Sequence, residues 1–187
     1  MFTPSRLVLA RKRRKLTSKG LAELVGVSPV TISRLEKNKN HPDEDTLEAI
    51  STALGFPEAF FSGEDLEELP KESASFRSLS SMTARERDAA LSAGSLAYLF
   101  GDWVEDRFTL PAPNLLDLSH ERTPSNAARE LRQHWGLGER PIGNMLRLLE
   151  SKGVRVFSLS ECTKNVDAFS CWRGATPYVF LNTFKSA

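Results

Sequence analysis

The segment from Thr17 to Glu36 constrains the fold of this 187-residue chain more than any other stretch. Thr17 can cap a helix with its hydroxyl, and Gly26 supplies the positive φ at which such a helix can end. Ser28 can cap a second helix, and Pro29 suits its first turn, where a backbone N–H is not needed. The apolar residues of the first helix recur at the spacing of one buried face: Leu21, Leu24 and Val25. The segment therefore predicts two short helices joined by a tight turn.

The second of these helices has the composition of a helix that contacts base edges. Ile32 and Leu35 are predicted to point inward, which leaves small polar side chains and Arg34 outside. Such a helix can enter the DNA major groove, where an arginine can pair with O6 and N7 of guanine. Val30 can offer only apolar contact, for instance to a thymine methyl. The predicted base-facing residues are Pro29, Val30, Thr31, Ser33 and Arg34.

The charge distribution also favours DNA. Residues 1–42 contain ten Lys and Arg against two Glu, whereas residues 43–75 contain ten acidic residues against one Lys. Basic charge concentrated around the two helices suits a phosphate backbone, because each neutralised phosphate releases counterions. The side chains predicted to fix the register on phosphates are Arg14, Thr17, Ser18, Lys19, Asn38 and Lys39, and the capping Ser28 completes the DNA-binding set. We therefore predict double-stranded DNA as the partner.

The same residues resemble the Xre/lambda-repressor-like helix-turn-helix family. The matching elements are the run from Leu21 to Val27, Ser28 with Thr31 to Ser33, and Glu36 followed by a basic loop that ends at Pro42. The resemblance implies a five-helix domain, placed here at residues 1–63, and transcriptional regulation, most simply repression at an operator. Because one recognition helix covers few base pairs, we expect a homodimer. The nearest candidate interface is an apolar stripe of four residues: Leu96, Leu99, Phe100 and Trp103.

The remainder of the chain is predicted to hold a linker and a second module. Residues 64–82 are acidic and then serine-rich, which is typical of a linker. In residues 83–187, helical periodicity runs as far as residue 108, and further helices are predicted after Thr123 and from Pro141. The period then changes to that of strands at residues 154–157, 168–172 and 178–181. The predicted fold is mainly α, with a helix-turn-helix domain followed by an α+β module.

The second module resembles the N-terminal half of the ImmA/IrrE metallopeptidase family. The matching residues include Phe76-Arg77-Ser78, Trp135 to Gly138, Gly153 to Phe157, and Tyr178 to Asn182. The resemblance implies an incomplete zincin-like fold. In that family a His-Glu-x-x-His helix follows the last strand; its histidines bind zinc and its glutamate activates water. This chain contains no such motif, so we expect it not to be an enzyme. The alternative is the N-terminal portion of a longer zinc metallopeptidase that cleaves a protein regulator.

Other cofactors, compartments and partners are constrained more weakly. The candidate metal ligands lack ligand spacing, so we expect no metal and no other cofactor: His120, His134, Cys162, Asp167 and Cys171. A total of two cysteines favours a reducing cytoplasm over a disulfide framework. No apolar run approaches the ~20 residues of a membrane span, so no membrane partner is expected. A protein partner, if one binds, is expected to use the second module.

Overall fold

Four α-helices form the N-terminal part of the chain in the computed structural model, which describes residues 1–76, 82–159 and 167–183. They are α1 (Pro4–Arg13), α2 (Ser18–Val25), α3 (Pro29–Glu36) and α4 (Glu44–Leu54). The fifth predicted helix is a short 3-10 segment, Glu58–Ser62. One apolar core joins all five: Leu7, Ala10, Leu21, Ala22, Ile32, Leu35, Ile50, Leu54 and Phe61.

The local signals that predict α2 and α3 are confirmed. The Thr17 hydroxyl accepts a hydrogen bond from the N–H of Gly20 at 2.9 Å. The Ser28 hydroxyl accepts one from the N–H of Thr31 at 3.1 Å. Gly26 ends α2 with a φ of 76°, in the left-handed region that a glycine adopts without a Cβ penalty. Both helices therefore begin where their capping residues predict, and α2 ends at Gly26 as predicted.

The predicted buried face of α2 is wrong at Leu24. Its side chain is 62% exposed, whereas that of Leu21 is fully buried. Leu24 lies at the side of α2, where it lines an open cleft beside α4 with Ala49 and Ala53. Helical spacing identified the buried face, but the position of its edge depends on where α3 and α4 pack.

Three further α-helices and a four-stranded sheet form the rest of the described chain. The helices are α5 (Ala84–Glu105), α6 (Pro124–His134) and α7 (Met145–Ser151). The strands are β1 (Ala74–Phe76), β2 (Arg155–Leu159), β3 (Ala168–Arg173) and β4 (Thr176–Asn182). Their order in the sheet is β1-β3-β4-β2, with β2 parallel to β4 and the other neighbours antiparallel. The C-terminal part thus combines helices with a sheet, as predicted.

The interval predicted as a linker, residues 64–82, contributes to the second module. Strand β1 lies within it and pairs with β3, and Phe76 packs on Phe169 with ring centroids 4.9 Å apart. Leu69 is buried in the core beside α5, and its N–H donates to the Ser95 hydroxyl at 3.2 Å. The acidic and serine-rich composition of residues 64–82 gives no strand signal. Strand β1 has only three residues, and its hydrogen-bond partners come from the distant β3.

One predicted helix begins later than expected. The sequence places its start at Pro141, whereas α7 begins at Met145. The side chain of Asn144 accepts a hydrogen bond from the N–H of Arg147 at 2.9 Å and so caps the helix there. Three residues of the sequence argument, Arg77, Ser78 and Cys162, lie outside the described ranges.

Helix α5 connects the two parts of the molecule. One of its faces packs on the sheet, where the rings of Tyr98 and Tyr178 lie 4.7 Å apart. Helix α5 also contacts α1 of the helix-turn-helix part, and residues from α1 and from the N-terminal half of α5 line one pocket. None of the helices in the described ranges has the length and apolar character that a membrane span requires.

Candidate nucleic-acid interface

The outward face of α3 carries exposed residues of the predicted base-contacting set. Val30 is 58% exposed, and Arg34, one helical turn further on, is also exposed. Ile32 and Leu35 are buried on the opposite side, as predicted. Within the described residues, no hydrogen bond or ion pair engages the Arg34 side chain, so its guanidinium is available to a ligand.

The other predicted base-facing residues lie at the start and sides of α3. Pro29 is exposed in the first turn, whereas Thr31 and Ser33 are half-buried. The hydroxyls of Thr31 and Ser28 are 2.9 Å apart and hydrogen-bonded to each other. Ser28 and Thr31 therefore already stabilise the beginning of the helix, and Val30 and Arg34 are the most accessible side chains of the set.

A network of polar groups fixes α3 relative to α1 and α2. Glu36, the last residue of α3, accepts a hydrogen bond from Nη2 of Arg11 at 3.2 Å and forms an ion pair with the same guanidinium. It also accepts one from the Ser18 hydroxyl at 3.1 Å. The Arg11 guanidinium donates in addition to the carbonyl of Leu16 at 2.8 Å. Because Arg11 belongs to α1 and Ser18 to α2, one carboxylate joins three helices and orients the exposed face of α3.

Asn38 ends α3 in a way that presents a basic loop. Its φ of 55° is left-handed, a conformation that asparagine tolerates better than most residues. The N–H of Asn38 donates to the Leu35 carbonyl at 3.1 Å, and that of Lys39 donates to the Arg34 carbonyl at 2.8 Å. These are the two bonds of a Schellman motif. The side chains of Asn38 and Lys39 remain exposed, so both predicted phosphate contacts are accessible.

The predicted phosphate-contacting residues before α3 differ in their accessibility. Lys19 is exposed and lies 3.8 Å from Glu23, an i,i+4 pair at the surface whose attraction is weak. Thr17 and Ser18 both have partners inside the domain, described above, although the Thr17 side chain is exposed. Thr17, Ser18 and Lys19 together form the start of α2, where unpaired backbone N–H groups favour an anion.

Arg14 has a structural partner that the sequence did not indicate. Its guanidinium donates to the carbonyls of Leu54 and Gly55 at the C-terminal end of α4 and lies 5.4 Å from the Phe56 ring centroid. The last carbonyls of a helix favour a cation, so this arrangement stabilises the bundle. The predicted phosphate contact of Arg14 requires that guanidinium to leave or share these carbonyls.

Lys37 is an exposed cation that the predicted site set omits. It follows Arg34 by three positions, so it lies on the same side of α3, and its side chain is exposed. The signal was present in the sequence as a basic residue in phase with Val30 and Arg34. The sequence places Lys37 in the basic loop that follows Glu36.

The N-terminus of α4 marks the end of the basic surface. Asp43 caps this helix by accepting the N–H of Thr46 at 2.9 Å. Hydrogen bonds from the side chain and backbone of Thr46 lower the pKa of Asp43 below its usual value. The charged carboxylate is thus stabilised immediately after the cationic loop.

The candidate metal ligands of the second module lie in separate environments. Nε2 of His134 is 2.6 Å from the side-chain oxygen of Asn114. Cys171 is buried, with its Sγ 3.2 Å from the Tyr98 hydroxyl, and burial raises the pKa of its thiol. A thiol of this kind is a poor nucleophile, because the thiolate is the reactive form. Among the described candidates, His134 and Cys171 therefore have separate neighbours.

His120 has different neighbours from those considered in the sequence. Its Nε2 lies 3.3 Å from a carboxylate oxygen of Glu130 and 3.8 Å from one of Glu121. Among the described residues, these three side chains are the group whose potential ligand atoms lie within 4.8 Å of one another. The imidazole is largely exposed, and the arrangement is accounted for by ion pairing when His120 is protonated.

The helix-turn-helix geometry, the exposed face of α3 and the basic loop define a DNA-binding domain. Comparison with known proteins agrees: residues 7–61 match the family model described as Helix-turn-helix. These residues are therefore a helix-turn-helix domain of the Xre/lambda-repressor type, the DNA-binding domain of transcriptional regulators. The solution structure of the DNA-binding domain of the P22 C2 repressor is similar at 30% sequence identity and a TM-score of 0.33. That match covers 37% of this chain and 92% of the P22 C2 domain. None of the curated proteins compared matches the chain.

Proposed function

We propose that the protein is a sequence-specific transcriptional repressor that inserts α3 into the major groove of its operator. The exposed pair Val30 and Arg34, on a helix fixed by the partly buried Arg11–Glu36 ion pair, is the observation that carries this proposal. Pro29, Thr31 and Ser33 complete the base-facing set. The phosphates are contacted by the first turn of α2, by Asn38 and Lys39, and by Arg14 if it releases α4.

Arg34 supplies the specific part of the affinity in this proposal. A bidentate arginine–guanine pair discriminates against the wrong base by about 1–3 kcal/mol. Contacts to phosphate, by contrast, strengthen binding to all sequences and make it depend on salt. Lys37 is the matched comparison, because it is a neighbouring exposed cation on the same side of α3.

The test uses the full chain and an operator selected from a random DNA library. Arg34→Ala should weaken binding to the selected site by about 1–3 kcal/mol and change binding to random DNA little. Lys37→Ala should weaken binding to the selected site and to random DNA by a similar factor. It should also reduce the slope of log affinity against log salt concentration by about one. Equal losses on both DNAs for Arg34→Ala would show that this side chain contacts phosphate, and the assigned base contact would be wrong.

We also propose that the repressor acts as a homodimer on half-sites about one helical turn apart. The apolar stripe on α5 supports this assignment, since Leu99, Phe100 and Trp103 are 39%, 55% and 49% exposed. The rings of Phe100 and Trp103 are stacked, with centroids 5.9 Å apart. Helix α1 packs on the N-terminal part of the same helix. A dimer formed through the apolar stripe would therefore fix the separation of the two α3 helices.

For the second module we propose a non-catalytic role as a platform for dimerisation or for a protein partner. His120, His134 and Cys171 each have a different neighbour, and burial raises the pKa of the Cys171 thiol. The alternative is a longer zinc metallopeptidase of which this is the leading part, with a zinc-binding His-Glu-x-x-His helix after β4. Elemental analysis for zinc and a peptidase assay on the product of the full-length gene separate the two functions.

A further inference from the structure

Three arginines of the second module line one cleft at its surface. The cleft has a volume of about 430 Å³ and lies between the C-terminal half of α6 and the loop that follows it. Arg129 and Arg132 come from the helix, and Arg140 comes from the loop. Glu139 is the one carboxylate among the lining residues. The cleft therefore carries a clear excess of positive charge.

The hydrogen bonds of these arginines go to neutral groups. Nε and Nη2 of Arg132 donate to the carbonyls of Gly138 and Arg140, the first at 2.8 Å. Arg140 donates to the Gly136 carbonyl at 3.3 Å, and Arg129 donates to the side-chain oxygen of Asn126 at 3.1 Å. Such bonds hold the side chains in place without neutralising them. Within the described residues, no carboxylate forms an ion pair with any of the three.

Other arginines of the same module are neutralised. Arg155 forms an ion pair with Glu105 at 2.9 Å, and Arg173 pairs with Glu67 at 2.7 Å and with Asp102. The C-terminal end of α6 offsets only about half a unit of charge. Three oriented guanidiniums without a carboxylate partner are an arrangement that favours an anion, and arginine matches phosphate geometry with parallel N–H donors.

We propose that this cleft binds a phosphate group of a nucleotide-sized ligand or of the DNA backbone. Arg129 and Arg140 contact the phosphate, and Arg132 holds the Gly138–Arg140 loop and adds the third charge. The volume falls within the range of small-molecule sites, about 300–1,000 Å³. Binding of a soluble phosphate compound does not rest on the DNA-binding function proposed above, whereas binding of the DNA backbone does.

The first arm of the test measures soluble ligands. The full chain is titrated calorimetrically with inorganic pyrophosphate and with ATP at low and high salt. We expect saturable binding that weakens with salt, and at least a tenfold loss in the double variant Arg129→Gln/Arg140→Gln. Glu139→Gln should strengthen binding, because it removes the one like charge that faces the ligand. Arg147→Gln is the matched control, since Arg147 is an exposed arginine of α7 outside the cleft lining.

The second arm measures DNA. If the phosphate belongs to the DNA backbone, the double variant should bind DNA with a salt slope smaller by about two units, and Arg147→Gln should not. Arg34→Ala separates this arm from the function proposed for α3, because it should lower operator affinity without changing pyrophosphate binding. In the unmodified chain, phenylglyoxal labelling with and without pyrophosphate provides a check that does not depend on variant folding. Protection of Arg129 and Arg140 but not Arg147 supports the proposal.

Two results would overturn it. Absence of pyrophosphate and ATP binding, together with an unchanged salt slope for DNA in the double variant, would show that the cleft holds no phosphate. Equal labelling of Arg129, Arg140 and Arg147 both with pyrophosphate and with operator DNA would show the same in the unmodified chain.

Discussion

Replacing Glu36 by alanine tests how α3 is held against α1 and α2. The substitution removes the carboxylate that accepts hydrogen bonds from Arg11 of α1 and from Ser18 of α2. The Arg11 guanidinium would keep only its bond to the Leu16 carbonyl. Its charge would remain in a site where the Arg11 side chain is 13% exposed. The expected result is a large loss of stability in the helix-turn-helix domain, with little change in the second module.

The magnitude follows from the burial of the pair. Breaking a buried ion pair by removing one partner costs about 3–5 kcal/mol, whereas an exposed pair contributes about 0–1 kcal/mol. The side chains of Arg11 and Glu36 are 13% and 12% exposed, so the pair is close to the buried limit. We expect Glu36→Ala to lower the free energy of unfolding by roughly 3 kcal/mol. The double variant Arg11→Met/Glu36→Leu should lie within about 1 kcal/mol of the unmodified protein, because it leaves no unpaired charge.

The positions of the aromatic residues make the assay domain-specific. All three Trp and both Tyr lie between residues 98 and 178, so residues 1–63 contain neither. Tryptophan fluorescence therefore follows the second module, and far-UV circular dichroism follows both parts. In urea, a loss of about 3 kcal/mol should shift the early part of the dichroism transition by at least ~1 M and leave the fluorescence midpoint nearly unchanged.

Two outcomes would refute this reasoning. A loss below about 0.5 kcal/mol for Glu36→Ala would show that the pair behaves as a surface pair. A double variant as unstable as Glu36→Ala would show that the lost packing, not the uncompensated arginine, causes the effect. A parallel shift of fluorescence and dichroism would show instead that contact between α1 and α5 makes the two parts unfold together.

Three further predictions concern assembly, the second module and metal. Trp103→Glu should convert a dimer at micromolar concentration to a monomer by light scattering, and a strictly monomeric parent chain, free and on operator, would exclude the proposed assembly. Gly153→Ala should destabilise the second module by roughly 3 kcal/mol or more in fluorescence-monitored unfolding, because a Cβ would lie 2.4 Å from the Ala112 carbonyl oxygen at a φ of 81°. Gly174→Ala is the control, with positive φ but no atom within 4 Å of the added Cβ, and should cost only about 1–2 kcal/mol. Elemental analysis after gentle purification should find no stoichiometric zinc, and zinc-dependent cleavage of any protein would contradict a non-catalytic second module.

The sequence by itself determined the elements whose causes are local. Thr17, Ser28 and Thr83 each precede a helix and accept a hydrogen bond from a backbone N–H three residues later. Gly26 ends α2 because no other residue type adopts its backbone angles at so little cost. The helix-turn-helix and the outward face of α3 could be derived for this reason, since caps, turns and helical period act within a few positions of the chain.

The tertiary structure decided everything that depends on distant partners. Arg14 and Arg34 are both basic residues of the N-terminal part, but the first binds the carbonyl end of α4 and the second remains exposed. Leu24 has the spacing of a buried residue but is exposed, because it lines an open cleft beside α4 and no neighbouring helix of the described chain covers it. Strand β1 exists because β3, almost a hundred residues away in sequence, supplies its hydrogen bonds. Local rules set where an element begins, whereas burial and pairing are properties of the assembled chain and have no signal within a single segment.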